Sequence, residues 1–346
     1  MVRRYLNGAL LAAAATVLLG SSQSNLQTQL RQTAAAYLAG IGGIATVTGR
    51  DTAFDYYERL RDDADMLDDP TAGRGFTASQ WLQTTQRFGT LDLSLANQLL
   101  ERRYVAMGSV RGWGETLVRS SRDGTMQPVA MYVPPSYSPD RPVSLIVFLH
   151  GRLQAETQLL APFYISQLSD TNSTVVVAPW GRGYYDFRGA ESDVYDALDA
   201  ATATFNVDPR KRYLAGYSMG AFSVFEIAPL HPDRWSAVMC IAGALWGEDA
   251  QRLVSRMHTS RFYVLTGSAD DNVPTQWPTS TANYLASIGV DVSYYSQHQG
   301  THRVVTLLPI LTQAWDDMIE GVVRAPPPTF GLAQLPSEIP PNEYKP

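Results

Sequence analysis

The sequence is poor in cysteine and in lysine. Cys240 is the one cysteine among 346 residues, so an intramolecular disulfide is impossible. It lies in an apolar run, which indicates a buried thiol rather than a reactive one. Lysine occurs twice, as Lys211 and Lys345, and arginine supplies the other basic residues. The formal net charge is −6, and this acidic balance gives no electrostatic basis for binding nucleic acid.

The amino terminus lacks an apolar run of spanning length. Arg3 and Arg4 precede an apolar stretch over residues 8–19, shorter than the roughly 20 residues that a membrane-spanning helix needs. Small residues follow, and no cysteine is present there for a lipoprotein anchor. This layout is typical of a secretory signal. We therefore expect residues 1–24 to be a signal peptide or an N-terminal anchor, and the protein to be exported. Membrane contact is expected only through this segment, if it is not cleaved.

The rest of the chain falls into three regions. Residues 25–110 carry apolar side chains at helical spacing, broken by a Pro- and Gly-containing segment at 68–75, so we expect a helical N-terminal region. Residues 111–324 form an expected second domain, and the proline-rich residues 325–346 an extended or disordered tail. Several aspartates precede the break but lack the glycine and distal glutamate of a calcium loop. We interpret them as a solvated helix face and end: Asp62, Asp63, Asp65, Asp68 and Asp69.

The second region alternates between strand-like and helix-like segments. From Gly114 on, two alternating segments flank the turn signal Asp123-Gly124, which predicts a β-hairpin. Apolar runs typical of strands buried on both faces follow. They lie at 142–151, 173–181, 212–216, 235–245, 261–270 and 290–297. Because helical stretches separate most of them, the pattern predicts an α/β fold, a doubly wound, mostly parallel sheet preceded by the N-terminal helical segment.

One serine lies between two glycines in "YLAGYSMGAF", residues 213–222. Ser218 follows a predicted strand and precedes a predicted helix, as the nucleophile of a strand-turn-helix elbow does. The flanking Gly216 and Gly220 would avoid crowding in such a turn. The backbone N–H of Met219 would begin the helix, where unpaired N–H groups can stabilise a developing oxyanion.

A second oxyanion donor is expected from the loop after an earlier strand. The stretch "VFLHGRL" places His150 and Gly151 at the carboxyl end of such a strand. Gly151 would let the backbone approach a substrate, and the N–H of Arg152 is the expected donor. We expect His150 to shape this loop rather than to act as a base.

A serine hydroxyl needs a base, and the base needs an orienting acid. In this strand order both should follow the serine. Asp270 comes just after a strand, with Asp271 as its competitor. His302 lies in a loop after the next strand, with His298 as its competitor. The order Ser218, Asp270, His302 therefore fits an acid and a base of the required kind.

The segment of about residues 113–320 resembles the α/β-hydrolases of the esterase and prolyl-oligopeptidase-like group, which includes feruloyl and acetylxylan esterases and polyhydroxyalkanoate depolymerases. The matching stretches are "YVPPSY", "FLHG", "APWGRGYYDFRGAESDVYDAL", "NVDPRKRYLAGYSMGAFSVFEIAPLHPDRW" and "TGSADDNVP". The resemblance puts the acid of G-x-x-D-x-x-V-P on Asp270 and the base of a closing G-x-H on His302. Two positions depart from the family: Ala221 replaces a frequent glycine, and Arg303 replaces an aromatic residue.

The resemblance implies a serine hydrolase that cleaves carboxylic esters, on a small-molecule or polymer-linked substrate, with no metal or organic cofactor. A peptidase of the prolyl-oligopeptidase type is the alternative, although the helical region is too short for a propeller, since one blade takes about 40 residues. A non-catalytic binding protein on the same fold is a second alternative. Aromatic residues near the expected mouth could line a substrate pocket: Tyr217, Trp180, Tyr185 and Trp246.

Overall fold

The computed structural model describes residues 3–68 and 75–324, with side chains from Gln23 onward. The chain divides into two compact units, Met1–Tyr104 and Val105–Pro346. The tail expected at 325–346 lies outside the described residues, as do the side chains of residues 1–22 of the expected leader.

The first unit consists of three helices in its described part, as the helical spacing predicted. They are α1 (Arg3–Thr48), α2 (Arg50–Met66) and α3 (Ala78–Glu101). Gly49, at a φ of 84°, separates α1 from α2, a backbone angle that glycine adopts without strain. Thr77 begins α3 with a capping box, in which its side chain accepts from the Gln80 N–H and the Gln80 side chain accepts from the Thr77 N–H. The helices bury a shared apolar core that includes Leu30, Tyr56, Leu60, Phe88 and Leu95.

The first unit also buries charged groups. Arg59 forms an ion pair with Asp92, with 2.5 Å between Nη2 and Oδ1, and both side chains are buried. Asp63 is 1% exposed, and burial together with the nearby Asp92 carboxylate raises its pKa well above the ordinary value. The interpretation of the aspartate cluster as a solvated face is therefore wrong for Asp63, because its carboxyl group points into the helix interface. Asp62, Asp65 and Asp68 are exposed, and Asp69 is outside the described residues.

The second unit contains one eight-stranded sheet, which confirms the predicted hairpin and six further strands. The strands are β1 (Gly112–Arg119), β2 (Met126–Val133), β3 (Val143–Leu149), β4 (Thr174–Pro179), β5 (Val207–Tyr217), β6 (Ala237–Ile241), β7 (Arg261–Gly267) and β8 (Val292–Gln297). Their spatial order is β1-β2-β4-β3-β5-β6-β7-β8. Strand β2 pairs antiparallel with β1 and β4, and all other pairs are parallel.

Helices cover both faces of this sheet. They are α4 (Glu156–Leu160), α5 (Phe163–Asn172), α6 (Glu191–Thr204), α7 (Met219–Ile227), α8 (Glu248–Val254), α9 (Gln276–Ser287) and α10 (Leu308–Glu320). In β3, Leu145 and Val147 share one core with residues of α6 and α7, while Ile146 and Phe148 point to the opposite face. All seven residues of β3 are buried. The continuous apolar runs of the sequence thus reflect burial on two sides.

The register of the sheet brings the loops after several strands to one edge. Leu149 at the end of β3 pairs with Gly216 of β5, and Tyr217 pairs with Ile241 at the end of β6. The loops after β3, β5, β7 and β8 therefore meet at the carboxyl edge of the parallel strands. Ligands of open α/β sheets bind at this edge.

Candidate active site

Ser218 occupies a strained turn between β5 and α7. Its φ is 52° and its ψ −115°, a conformation that non-glycine residues rarely adopt. A Cβ at Gly216 would lie 2.2 Å from the Gly220 carbonyl oxygen, and a Cβ at Gly220 would lie 2.4 Å from the Leu149 carbonyl oxygen. Both obstacles are backbone atoms, so the two glycines permit the turn. The Ser218 N–H donates to the Ile241 carbonyl at 2.9 Å and ties the turn to β6.

The serine, a histidine and an aspartate form one hydrogen-bonded chain. Ser218 Oγ lies 2.8 Å from His302 Nε2, and His302 Nδ1 lies 3.0 Å from Asp270 Oδ2. Ser218 is 4% exposed, His302 is 8% exposed, and the Asp270 side chain is fully covered. With the proton on Nδ1, neutral His302 donates to the carboxylate and accepts from the serine hydroxyl. This arrangement can move a proton from Ser218 to His302.

The backbone after β7 fixes the Asp270 carboxylate. Its Oδ1 accepts from the N–H groups of Asn272 at 2.9 Å and Val273 at 2.8 Å, which forms a tight Asx-type turn. The Ala269 N–H donates to the Gly300 carbonyl at 2.8 Å, so the loops after β7 and β8 are joined. The carboxylate is therefore fixed beside the histidine ring, with Oδ2 3.0 Å and Oδ1 3.1 Å from His302 Nδ1.

The competing candidates lie elsewhere. Asp271 is exposed, and so is His298. Neither has a hydrogen bond to Ser218 or His302 within the described ranges. The structure therefore places Asp270 and His302, rather than their neighbours, beside the serine.

Two backbone segments are joined close to Ser218, the start of α7 and the loop after β3. Met219 is the first residue of α7, and an N–H at that position has no acceptor within its own helix. The next N–H, that of Gly220, already donates to the His150 carbonyl at 3.1 Å. The loop after β3 carries Gly151 and the exposed Arg152, whose guanidinium lies 5.2 Å above the Tyr185 ring.

His150 joins two loops inside the protein. It is fully buried, with Nδ1 2.9 Å from the Gly151 carbonyl oxygen and Nε2 2.9 Å from the Trp180 carbonyl oxygen. Its ring stacks on that of Trp180 with 5.6 Å between centroids. Both ring nitrogens face backbone carbonyls, so His150 shapes the loop after β3, as expected from the sequence.

The four aromatic residues expected in a pocket occupy different environments. Trp180 is 1% exposed and covered by His150, so its ring offers no open surface to a ligand. Tyr217 is 8% exposed, and its hydroxyl donates to the His302 carbonyl. Tyr185 is 61% exposed beside Arg152. Trp246 is half-buried against Phe222, Ala244 and Val273. Tyr185 and Trp246 are thus the two that keep surface available for substrate.

Sequence reasoning missed an arginine that braces the loop after β4. Arg182 bonds to the nearly buried Asp193 at the start of α6, and its Nη1 lies 2.6 Å from Asp123 Oδ2 at the hairpin turn. The same loop accepts the Leu153 N–H at the Tyr184 carbonyl, at 2.8 Å. The ion pairs tie the loop after β4 to α6 and to the hairpin turn, and the Leu153 hydrogen bond ties it to the loop after β3. The sequence contains no local pattern that indicates these contacts.

Comparisons with known proteins show what the chain resembles. The family model named Esterase matches residues 120–287. A bifunctional acetylxylan esterase/xylanase of Neocallimastix patriciarum is 27% identical over 142 residues, which are 39% of this chain. The chain spans 21% of that protein's length. Both findings support ester hydrolysis in general terms.

Several solved structures share the fold. A thermostable esterase is 19% identical, with a TM-score of 0.50 over 61% of this chain and 63% of its own. A ferulic acid esterase is 14% identical, with a TM-score of 0.51 over 60% of this chain and 97% of its own. A structure from Bacteroides ovatus described as a dipeptidyl aminopeptidase IV reaches 0.51 at 11% identity, over 60% of this chain and 36% of its own. The resemblance to the α/β-hydrolases of the esterase group is confirmed.

The residues that the structure describes lack two kinds of feature. They contain no cluster of three or more His, Cys, Asp or Glu side chains arranged to hold a metal ion. None of their helices combines the length and the apolar character that crossing a membrane would require.

Proposed function

We propose that this chain, whose fold is that of the α/β-hydrolases, is a serine hydrolase that cleaves carboxylic esters through an acyl-enzyme intermediate. The observation that carries the proposal is the hydrogen-bonded chain of Ser218, His302 and Asp270, with 2.8 Å and 3.0 Å between successive groups. The serine sits in the strained turn that a nucleophile elbow requires. The Esterase family match covers the serine and the aspartate.

In the proposed mechanism His302 Nε2 takes the Ser218 proton while Oγ attacks the carbonyl carbon of the ester. Asp270 holds the ring so that Nδ1 keeps its proton and stabilises the imidazolium. The tetrahedral intermediate collapses, and the leaving alcohol receives the proton from His302. Water then attacks the acyl-enzyme with the same base, which releases the acid and restores the serine.

The oxyanion needs donors on the side of the serine opposite the histidine. We assign the backbone N–H groups of Met219 and Arg152 to this role. The first belongs to the start of α7, and the second to the loop after β3, whose Gly151 packs against Tyr217. The Gly220 N–H is not assigned because it already donates to the His150 carbonyl.

The test compares Ser218→Ala with Ser260→Ala. Ser260 is also buried, but it precedes β7 at the opposite edge of the sheet and donates to the Trp235 carbonyl at 2.7 Å. On p-nitrophenyl acetate and butyrate, Ser218→Ala is expected to lose on the order of 10⁴-fold or more in turnover, while Ser260→Ala keeps its turnover. Near-normal hydrolysis by Ser218→Ala would refute the assignment of the nucleophile.

The native protein and Ser218→Ala also distinguish an esterase from a non-catalytic binding protein and from a peptidase. A fluorophosphonate probe should label the native protein and spare Ser218→Ala. Absence of labelling would favour a non-catalytic binding protein. The likeness to both esterase and aminopeptidase structures shows only the fold, so a proline-containing peptide must be tested beside the esters. Peptide turnover rivalling ester turnover would favour the peptidase.

The substrate surface is proposed from the two accessible aromatic side chains. Tyr185 is exposed with Arg152 above its ring, and Arg188 lies 5.7 Å above the ring of Trp246. Such side chains can hold an acyl or aryl group of a small-molecule or polymer-linked ester. A panel of acyl chain lengths, feruloyl esters and acetylated sugars measures the preference, and alanine at Tyr185 or Trp246 should raise KM for the preferred ester.

Export is a further part of the proposal and depends on the leader at residues 1–24. Its basic start, short apolar run and small residues fit a secretory signal. The full-length protein, expressed with its leader in a bacterial host, is expected outside the cytoplasm. The intact mass of the recovered protein then shows whether the leader has been cleaved.

A further inference from the structure

Tyr217 is in contact with the loops on both sides of the serine. It is the last residue of β5, directly before Ser218, and its side chain is 8% exposed. Its hydroxyl donates to the backbone carbonyl of His302 at 2.8 Å. Its ring lies 5.5 Å from the His302 ring, between centroids.

The other side of the same ring rests on the loop after β3. A Cβ at Gly151 would lie 3.0 Å from both Cδ1 and Cε1 of Tyr217. This is closer than side chains normally pack, so the tyrosine ring sits directly on the Gly151 backbone. One ring therefore spans the loop that carries His302 and the loop that precedes Arg152.

The His302 loop is anchored at several points. Its earlier part is tied to the loop after β7: the Ala269 N–H donates to Gly300, and the Gln299 N–H donates to the Ser268 hydroxyl at 2.8 Å. The His302 ring is held by Asp270. For the His302 backbone itself, the hydrogen bond found in the described part of the chain is the one from Tyr217. Thr306 ties the flanking residues, since its hydroxyl accepts from the Thr301 N–H and its N–H donates to the Arg303 carbonyl, both at 2.9 Å. Asp270 thus holds the ring, and Tyr217 holds the carbonyl of His302 itself.

We propose that Tyr217 is a positioning residue, whose hydroxyl holds the His302 backbone so that Nε2 stays within hydrogen-bond distance of Ser218 Oγ. This inference deepens the proposed ester hydrolysis and rests on it. Desolvation in the protein interior raises the pKa of Tyr217, so the hydroxyl keeps its proton and remains a donor at neutral and mildly alkaline pH. Because the hydroxyl is turned to the backbone, it does not contact the ester.

The experiment is Tyr217→Phe, which removes one oxygen and keeps the ring. Small misplacements of a catalytic group cost up to about 100-fold in rate, so kcat for p-nitrophenyl acetate is expected to fall about 10- to 100-fold. KM should stay within about twofold, since substrate binding does not use this hydroxyl. The rate of labelling by the fluorophosphonate probe should fall in parallel with kcat.

The matched control is Tyr263→Phe. Tyr263 is fully buried in β7, and its hydroxyl also donates to a backbone carbonyl, that of Val322 at 2.8 Å. Tyr263→Phe removes the same atom and the same kind of hydrogen bond at a distance from Ser218, so its kcat should match that of the native protein. An equal fall in kcat for both variants would show a general packing effect and overturn the proposal. So would a Tyr217→Phe variant with native kcat, or one in which only KM rises.

A second measurement separates this inference from the proposed function. Amide hydrogen exchange over residues 298–307 should be faster in Tyr217→Phe than in the native protein, and unchanged in Tyr263→Phe. This readout needs no activity, so it remains informative if the native protein hydrolyses no ester. Unchanged exchange in Tyr217→Phe would overturn the positioning role whatever the activity assays show.

Discussion

Replacing Asp270 by asparagine should reverse the direction of the hydrogen bond between this residue and His302 without altering the shape of the proposed site. In the native protein Oδ1 accepts two backbone N–H groups, from Asn272 at 2.9 Å and Val273 at 2.8 Å. An asparagine must keep its carbonyl oxygen there, because an amide NH₂ would face two donors. The NH₂ group then takes the place of Oδ2, 3.0 Å from His302 Nδ1. The oxygen at the Oδ1 position also lies 3.1 Å from Nδ1, but it already accepts from two backbone N–H groups. The NH₂ group at 3.0 Å therefore favours the tautomer in which His302 accepts at Nδ1 and carries its proton on Nε2.

The wrong tautomer removes the base. With a proton on Nε2, the imidazole donates to Ser218 Oγ across the 2.8 Å contact and cannot take the serine proton. A change of this kind lowers turnover about 10⁴-fold at neutral pH in serine proteases. That ratio corresponds to about 5.5 kcal/mol of transition-state stabilisation, at about 1.4 kcal/mol per factor of ten. The expected fold stability is close to native, because volume and backbone contacts are kept.

Steady-state hydrolysis of p-nitrophenyl acetate at pH 7 measures the effect, with a thermal unfolding scan to verify the fold. The matched control is Asp271→Asn, which changes the exposed neighbouring residue and should leave kcat unchanged. If Asp270→Asn retains native kcat, the tautomer argument is refuted. If Asp271→Asn shows the large loss instead, the acid has been assigned to the wrong residue.

Three substitutions test other parts of the structure. Gly220→Ala places a Cβ 2.4 Å from the Leu149 carbonyl oxygen, so about 1–3 kcal/mol of stability and most of kcat should be lost. A Cβ at Gly42 meets nothing within 4 Å, so Gly42→Ala should stabilise its helix by up to about 1 kcal/mol. Equal shifts of the urea unfolding midpoint in the two variants would contradict this argument. Burial raises the pKa of folded Asp63, so native stability should decline as pH rises above 3.8, the ordinary pKa of aspartate, with a slope of at most about 1.4 kcal/mol per pH unit for this one proton. Asp63→Asn has no proton to lose, and its amide NH₂ can donate to the Asp92 carboxylate. Its urea unfolding midpoint should therefore vary less between pH 4.5 and 8 than that of the native protein. Parallel plots of midpoint against pH for the two proteins would contradict the burial argument.

Much of the sheet could be predicted because buried parallel strands leave a strong mark. A strand covered on both faces must be apolar at every position, and β3 is buried at all seven. The turn signal Asp123-Gly124 marked the hairpin. Asp270 was expected from its place just after a strand and from the G-x-x-D-x-x-V-P pattern. The structure adds that its side chain accepts from the N–H groups two and three residues later, in an Asx-type turn.

Charge and aromatic patterns were less informative because they depend on distant partners. Asp63 stands among exposed aspartates and differs from them only in facing Asp92, a residue of another helix. Trp180 was expected in a pocket, but its position under His150 follows from the packing of two loops. A sequence shows that such side chains are present and near a strand end. It does not show which of them tertiary packing will cover.

Tyr217 illustrates the limit and its cause. Ser218 and His302 are 84 positions apart, and the tyrosine hydroxyl meets a carbonyl 85 positions away. Parallel strands return each loop to the same edge of the sheet, so residues just past strand ends converge whatever their separation. That rule predicts which loops meet but not how far each side chain reaches or which way it turns. The first suffices to order a serine, an acid and a base. The orientation of each side chain decides whether a buried tyrosine binds substrate or holds the base. For Tyr217 that orientation depends on the packing of its ring against Gly151, which only the folded structure shows.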